Sequence, residues 1–555
     1  MTDATTRGNA SPRPSAVTLY RNGSVYTAAD PFATAMLVDG GTVAWVGSEQ
    51  AATSIADSSM EVIDLRGALL APGFVDSHVH LTETGVALET LQLGGVRSAR
   101  ELLQAVEGAA VAAGPVLGHG WDESLWEDPA LPAPGELERA AGGRPVYLSR
   151  VDAHSALISP SLAATARLEE LDGFAASGHV TRQAHSAARK AARNLPAAAL
   201  QRYQRRALAE AAANGYVALA EMGAPHIGSV LDLQLAAGWN AGRESGTTLP
   251  EVLPYWGQLT TSVDEAEALL AELGVPVHGL AGDLNIDGSI GSRTASLREP
   301  YADAAGEKGT TYLSTDEAAA HLAACSMLGI QGGFHVIGDA GLDAALDALE
   351  QAAAEVGAQR IRAAGHRFEH VEMADAEAIA RLAKYSVTVS AQPAFDAAWG
   401  GPGRLYEQRL GARSQHLNPF ASFYAAGVPV CFGSDSPVTP LRPWATVRAC
   451  LEHSNPAQRI SARAAFLGHT RAGWRAAKHV NPMAGQLVPG APATFAVWDV
   501  EELMVQVADG RVQSWSTDPR ARTPLLPALD TGTDPHCLQT VRNGQELFSA
   551  ESLRG

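Results

Sequence analysis

Residues 73–81 read GFVDSHVHL, and the reading of this stretch decides the fold. Apolar and polar residues alternate, the pattern of a strand with one buried face. Successive side chains on a strand point to opposite sides, so Asp76, His78 and His80 share one side. Two imidazoles and a carboxylate so close together suit a divalent ion such as zinc. A surface strand carrying two incidental histidines fits the same nine residues, so the rest of the chain has to choose.

Working outward, strands alternate with Ala- and Leu-rich helical segments. Eight strand candidates follow in order: 73–81, 216–223 (YVALAEMG), 247–256 (TTLPEVLPYW), 277–288 (VHGLAGDLNIDG), 332–339 (GGFHVIGD), 366–373 (HRFEHVEM), 387–393 (VTVSAQP) and 428–435 (VPVCFGSD). Eight such units predict an α/β fold, a (β/α)8 TIM-type barrel over 73–483. A doubly wound sheet is the alternative, but no G-x-G-x-x-G follows a strand. The interval 91–215 is too long for one crossover and is expected to hold an inserted subdomain, with a long helix around 184–214 leading into the second strand. Residues 17–72 and 484–555 share a texture of short strands and turns, such as the hairpin at Asn22-Gly23. They are expected to combine into one composite β-sandwich, since chain ends are often close together.

Composition narrows the function. The chain has 555 residues and a formal net charge of −19, which argues against a nucleic-acid surface. No stretch approaches the roughly 20 apolar residues of a membrane span. The polar first sixteen residues predict a disordered tail without the apolar run of a signal peptide. Cys325, Cys431, Cys450 and Cys537 are widely spaced and form no C-x-x-C pair, which predicts buried thiols and a cytoplasmic protein.

Barrel enzymes carry their chemistry at the C-terminal ends of the strands. His78 and His80 fall there on the first strand, His335 on the fifth, His370 on the sixth and Asp435 on the eighth. A single histidine in an apolar strand is more often a satisfied core group than a ligand. Five candidate ligands at one rim reverse that expectation.

With these residues in place, the chain resembles the amidohydrolase superfamily, in its YtcJ-like, amidohydrolase-3 branch, which includes N-substituted formamide deformylases. The phrases that carry the resemblance are PGFVDSHVHL, GHGWDESLW, RPVYLSRVDAHSALIS, DGSIGSRTASL, FHVIGDAG, RFEHVEM and GSDSPV. The resemblance implies the barrel, the composite β-sandwich and a hydrolytic metal site with His78, His80, His335, His370 and Asp435 as ligands. One of His335 and His370 is open to an oxyanion contact instead. It also assigns Asp435 to accept a proton from water and return it to the leaving nitrogen. Many members bridge two metals with a carboxylated lysine on strand four. This chain has four lysines, Lys190, Lys308, Lys384 and Lys478, none at a predicted strand end. Asp283 stands in the strand-four motif GDLNIDGSIGSRTA. One zinc is therefore expected, with two ions, another divalent metal, and Asp283 or Glu221 as an acidic ligand left open. Asp76 and Glu369 are expected to orient imidazoles or to make local structural hydrogen bonds.

For the substrate pocket the candidates are Trp121, Asp122 and Trp126 in GHGWDESLW, Asp152 and His154 in RVDAHS, Arg293 in GSRTA, and Gln392, Phe395 and Trp399 after strand seven. Packing explains each as well as substrate contact does. The expected reaction is hydrolysis of a non-peptide C–N (amide) bond in a small molecule by metal-activated hydroxide. Deamination, lactone hydrolysis and N-acyl amino acid cleavage are alternatives on the same scaffold. A non-catalytic binding relative is disfavoured because all five expected positions are filled. No nucleic-acid or membrane partner is expected, and a homodimer is compatible with the sequence.

Overall fold

The computed structural model describes residues 17–109, 114–240, 248–506, 515–516, 524–530 and 532–554. The expected tail over 1–16 lies outside them, as do residue 247 of the third strand candidate and 507–514 of the C-terminal region. The chain divides into two compact units, one within Met1–Gly73, Met483–Ala528 and Pro535–Gly555, the other Phe74–Pro482 with Leu529–Asp534.

In the larger unit all eight strand candidates contain strands. They are β1 (Phe74–Val79), β2 (Tyr216–Gly223), β3 (Glu251–Trp256), β4 (Gly279–Leu280), β5 (Gln331–Val336), β6 (Arg367–His370), β7 (Thr388–Ala391) and β8 (Val430–Phe432). They pair in parallel as a three-stranded sheet, β3-β2-β1, and a five-stranded sheet, β4-β5-β6-β7-β8. Representative register partners are Leu219 with Asp76, Val336 with His370, and Ser390 with Cys431. The two sheets meet at both edges. His278 N–H donates to Pro254 O at 2.8 Å, between the β3 and β4 edges. Asp435 N–H donates to His78 O at 2.8 Å, and Val79 bridges Ser436 in parallel, between the β1 and β8 edges.

Two sequence expectations change. The alternation in 73–81 predicted one buried face, yet every residue of β1 is buried. Parallel strands fed by crossover helices are covered on both sides, so the polar side of β1 faces the interior rather than water. The strand also stops at Val79, and His80 is the N-cap of a helix over Leu81–Glu89. The second change is at β4. Only Gly279–Leu280 is regular, and the chain then turns at Gly282 (φ 91°) before Asn285 bridges His335. That break in the strand carries Asp283 to the site.

Between β1 and β2, residues 91–181 build a five-stranded sheet ordered His179–Thr181, Ser155–Ile158, Val146–Arg150, Val116–Trp121, Leu91–Gln92. Leu93, Leu102, Trp121, Trp126 and Val146 pack into an apolar core on it. The single long helix expected around 184–214 is two, Arg182–Ala192 and Ala197–Ala213. Pro196, which has no N–H to continue a helix, is the N-cap of the second.

The smaller unit has a four-stranded sheet, Thr42–Gly47, Ala35–Asp39, Thr18–Arg21 and Glu61–Asp64, and a five-stranded sheet drawn from both chain ends. The latter orders Ser24–Val25, Leu69–Pro72, Phe495–Asp499, His536–Arg542 and Gln545–Ser549. Tyr20, Met36, Val43, Leu70, Phe495 and Val541 share one apolar core. All four cysteines are buried and free. Among the described residues, no helix is long and apolar enough to cross a membrane.

Candidate metal centre

Five side chains from four strands converge at one end of the eight strands. His78 Nε2 lies 3.4 Å from Asp283 Oδ1 and 3.4 Å from Asp435 Oδ1. His80 Nε2 lies 3.3 Å from Asp283 Oδ2 and 3.3 Å from Asp435 Oδ1. His78, His80 and Asp283 offer ligand atoms within 4.8 Å of one another, and so do His78, His370 and Asp435. Donors about 2.1 Å from a tetrahedral zinc stand about 3.4 Å apart, so these separations are those of a shared cation. His78 Nε2 and Asp283 Oδ1 are buried and have no hydrogen-bond partner, a costly state unless a cation completes them. The donor set fits a divalent ion such as zinc.

The electrostatics agree. Burial opposes charge on His80, but Asp435 and Asp283 outweigh it and lift the imidazole to about 9. Burial would likewise raise Asp435, yet His78, His80 and His370 hold its carboxyl below the ordinary value. The cluster is short of positive charge, a need met by protons or by a metal that displaces them.

Buried partners outside the cluster aim the ligands. His78 Nδ1 pairs with Glu369 Oε2 at 2.9 Å, leaving Nε2 for the centre. Glu369 is fixed in turn by Arg367, whose Nε and Nη2 donate to its two oxygens at 2.6 and 2.9 Å. Arg367 also donates to Ser77 O at 2.7 Å and lies over the Tyr255 ring. His370 Nδ1–H donates to Gln392 Oε1 at 2.7 Å, which again frees Nε2. Gln392 therefore supports a histidine rather than adding surface to the pocket. Such partners commonly change metal affinity by 10–100-fold when removed. Gln392→Ala is expected to weaken divalent-metal binding by about 10–100-fold, measured by competition with a chromophoric chelator. Unchanged affinity would show that packing alone sets the His370 ring.

The backbone is held in uncommon conformations here. His370 (φ 69°) and Asp435 (φ 54°) are non-glycine residues in the left-handed region, each costing roughly 1–3 kcal/mol. Gly433 allows the approach of β8 to β1: a Cβ on it would lie 2.5 Å from His78 N and 2.8 Å from Asp76 Oδ1. Asp76 accepts from His78 N–H (3.2 Å) and Ser434 N–H (2.9 Å), and burial lifts its carboxyl to about 6. It ties the two strands together without joining the ligand set.

The other site candidates divide. His335 stands beside the cluster, its ring centroid 4.5 Å from that of His370 and 5.0 Å from that of His154. It is outside both ligand groups, and its two nitrogens are buried and unpartnered. Burial and the neighbouring His370, His154 and His78 push its pKa well down, which favours the uncharged imidazole. Glu221 accepts from Leu81 N–H at 2.7 Å at a helix start, and burial raises it to about 7. A cavity of about 720 Å³ opens over the cluster, lined in part by His80, His154, Asp283, His335, His370 and Asp435. Trp399 lies to one side, lining a small recess with Phe395, Tyr406 and His370.

Four expected pocket residues are elsewhere. Trp121 is fully buried in the core of the 91–181 segment, its indole N–H donating to Leu148 O at 2.8 Å. Asp122 pairs with Arg150 at 3.0 Å and accepts from Ser124. Arg293 pairs with Asp303 at 2.6 Å outside both cavities, half exposed. Trp126 is likewise buried, donating to Val96 O at 3.1 Å. Arg367 and Gly433 were not among the sequence candidates. Gly433 makes room for His78, distant in the chain, and Arg367 reaches Ser77 O as well as its near neighbour Glu369, so neither belongs to a local ligand pattern.

Comparison with known proteins gives the same direction. The amidohydrolase-3 family model, described as "Amidohydrolase family", matches residues 61–548. "Protein LONG AFTER FAR-RED 3" of Arabidopsis thaliana is 26% identical over 522 residues, covering 87% of this chain and 88% of its own. "N-substituted formamide deformylase" of Arthrobacter pascens is 23% identical over 431 residues, covering 73% and 77%. The crystal structure of an uncharacterized metal-dependent hydrolase from Pyrococcus furiosus aligns with a TM-score of 0.67 at 25% identity, over 87% of this chain and 98% of that one. With its TIM-barrel-type arrangement of eight parallel strands and a match spanning most of its length, the chain belongs to the amidohydrolase family, in the amidohydrolase-3 branch.

Proposed function

We propose that the protein is a metal-dependent hydrolase that cuts a non-peptide C–N bond, an amide, in a small molecule. The observation that carries this reading is the set of 3.3–3.4 Å spacings among His78, His80, Asp283 and Asp435, the last three on the cavity wall. His78, His80, His370, Asp283 and Asp435 would hold one ion, zinc being the best match to the donors. When bound, such an ion supplies Lewis acidity, bringing the pKa of water to about 7 and polarising a carbonyl.

The chain's own groups do the rest. Asp435 touches the ligand cluster and faces the cavity, so its carboxylate takes a proton from the attacking water and returns it to the leaving nitrogen. His335, with no hydrogen-bond partner on either nitrogen, donates a hydrogen bond to the carbonyl oxygen as negative charge grows there. Phe395 and Trp399 offer apolar surface to a substituent in the side recess. The Arthrobacter pascens relative makes N-substituted formamides a sensible part of any substrate panel.

The test is amine release from a panel of formamides, N-acyl amines and N-acyl amino acids by metal-loaded protein. Turnover that a chelator abolishes and added zinc restores is the expected result. Release that persists through chelation, or no release from any amide alongside turnover of a lactone, would overturn the proposal.

A further inference from the structure

The charges around the cavity do not balance. Three carboxylates line it outside the ligand cluster, and each already has an arginine. Asp152 pairs with Arg150 at 3.0 Å, Asp172 with Arg182 at 3.1 Å, and Glu83 with Arg193. Two cations on the same wall have no carboxylate partner among the described residues: Arg189 and Lys190, on the helix Arg182–Ala192.

Arg189 is the informative one. Its side chain is buried, with 8% of the residue exposed. Nη2 donates to Ala153 O at 2.6 Å and Nε to the Tyr147 hydroxyl at 3.4 Å. Both acceptors are neutral, so the guanidinium is held in place without being neutralised, and among the described residues Nη1 makes no hydrogen bond. The other buried arginines of this unit among the described residues, Arg150, Arg367 and Arg409, all have carboxylate partners. A buried cation is costly without a counter-charge. One facing a ligand cavity can receive that charge from the ligand. Through Ala153 it is anchored next to His154, whose ring neighbours His335. The cation and the ligand cluster thus share one cavity.

We infer that the substrate carries a carboxylate, seated on the Arg189 guanidinium with Lys190 beside it, while its amide lies at the ligand cluster. The substrate class is then a carboxylate-bearing amide of the N-acyl amino acid type, rather than a neutral formamide. This inference rests on the proposed hydrolase function for the amide, but the anion site itself can be tested by binding alone.

Metal-loaded protein would be titrated calorimetrically with N-acetyl-leucine and with its carboxamide, which differ only in the charged group. Charge-assisted hydrogen bonds predict that the carboxylate binds about 10–100-fold more tightly. Arg189→Met should bring the two ligands to within a few-fold, while Arg189→Lys retains part of the difference and separates charge from shape. Inorganic phosphate competing as well as N-acetyl-leucine in the wild type would point to a phosphate ligand and overturn the carboxylate assignment. Equal binding of acid and carboxamide to the wild type would also overturn it, whether or not Arg189→Met folds. So would an unchanged preference in Arg189→Met, which would place the carboxylate on the metal. If the preference holds and is lost in Arg189→Met while no amide is cleaved, the anion site stands and only the hydrolase reading falls.

Discussion

Asp435→Asn is expected to lower kcat by about 10²–10⁴-fold, the range for removing a positioned acid–base group. The substitution keeps the shape of the side chain and removes its negative charge and its capacity to hold the transferred proton. The same carboxylate stands 3.4 Å from His78 Nε2 and 3.3 Å from His80 Nε2, so metal content is measured on the same sample. A variant that keeps its ion and loses turnover identifies the proton-transfer role. One that keeps full activity removes Asp435 from the reaction. Backbone geometry restricts compensation: the residue sits at φ 54°, and its N–H is tied to His78 O at 2.8 Å.

Arg367→Met should be the most damaging single change to stability. Arg367 and Glu369 are both fully buried and joined through two hydrogen bonds of 2.6 and 2.9 Å. Arg367 and His78 hold the Glu369 carboxyl well below the usual range against burial, which alone would raise it. Removing the guanidinium leaves an uncompensated carboxylate in the interior, at a cost of about 3–5 kcal/mol. A lower thermal midpoint, partly regained when Glu369→Leu is added, is the expected result. The double replacement regains stability because it removes the orphaned charge, although His78 then loses its partner. A midpoint equal to wild type would mean that water reaches this pair.

How much of this was legible in the sequence depends on the range of the interaction. His78 and His80 could be read together because they sit two residues apart on a strand. The ends of β5, β6 and β8 could be read because apolar runs mark each strand and the barrel order fixes where they end. Asp283 was weighed as a ligand, but its place depends on the turn at Gly282 that cuts β4 short. Supporting contacts were harder. Glu369 with His78 spans 291 residues, and Gln392 with His370 joins adjacent strands whose register no local pattern records. Trp121 and Arg293 misled for a related reason. Both stand in motif phrases, but an indole is readily satisfied by a core carbonyl and a guanidinium by a nearby aspartate. Arg189 was passed over because its meaning is a missing partner, and only the arrangement of all the neighbouring carboxylates reveals one.

The central claim is that His78, His80, His370, Asp283 and Asp435 hold a divalent ion. Elemental analysis of the purified protein, with His78→Ala prepared in parallel, tests it most directly. The account predicts about one divalent ion per chain in the wild type, zinc first among the candidates, and its loss from the variant. A chain that takes up no divalent ion even when supplied with one, or a His78→Ala variant that retains it in full, would contradict the account.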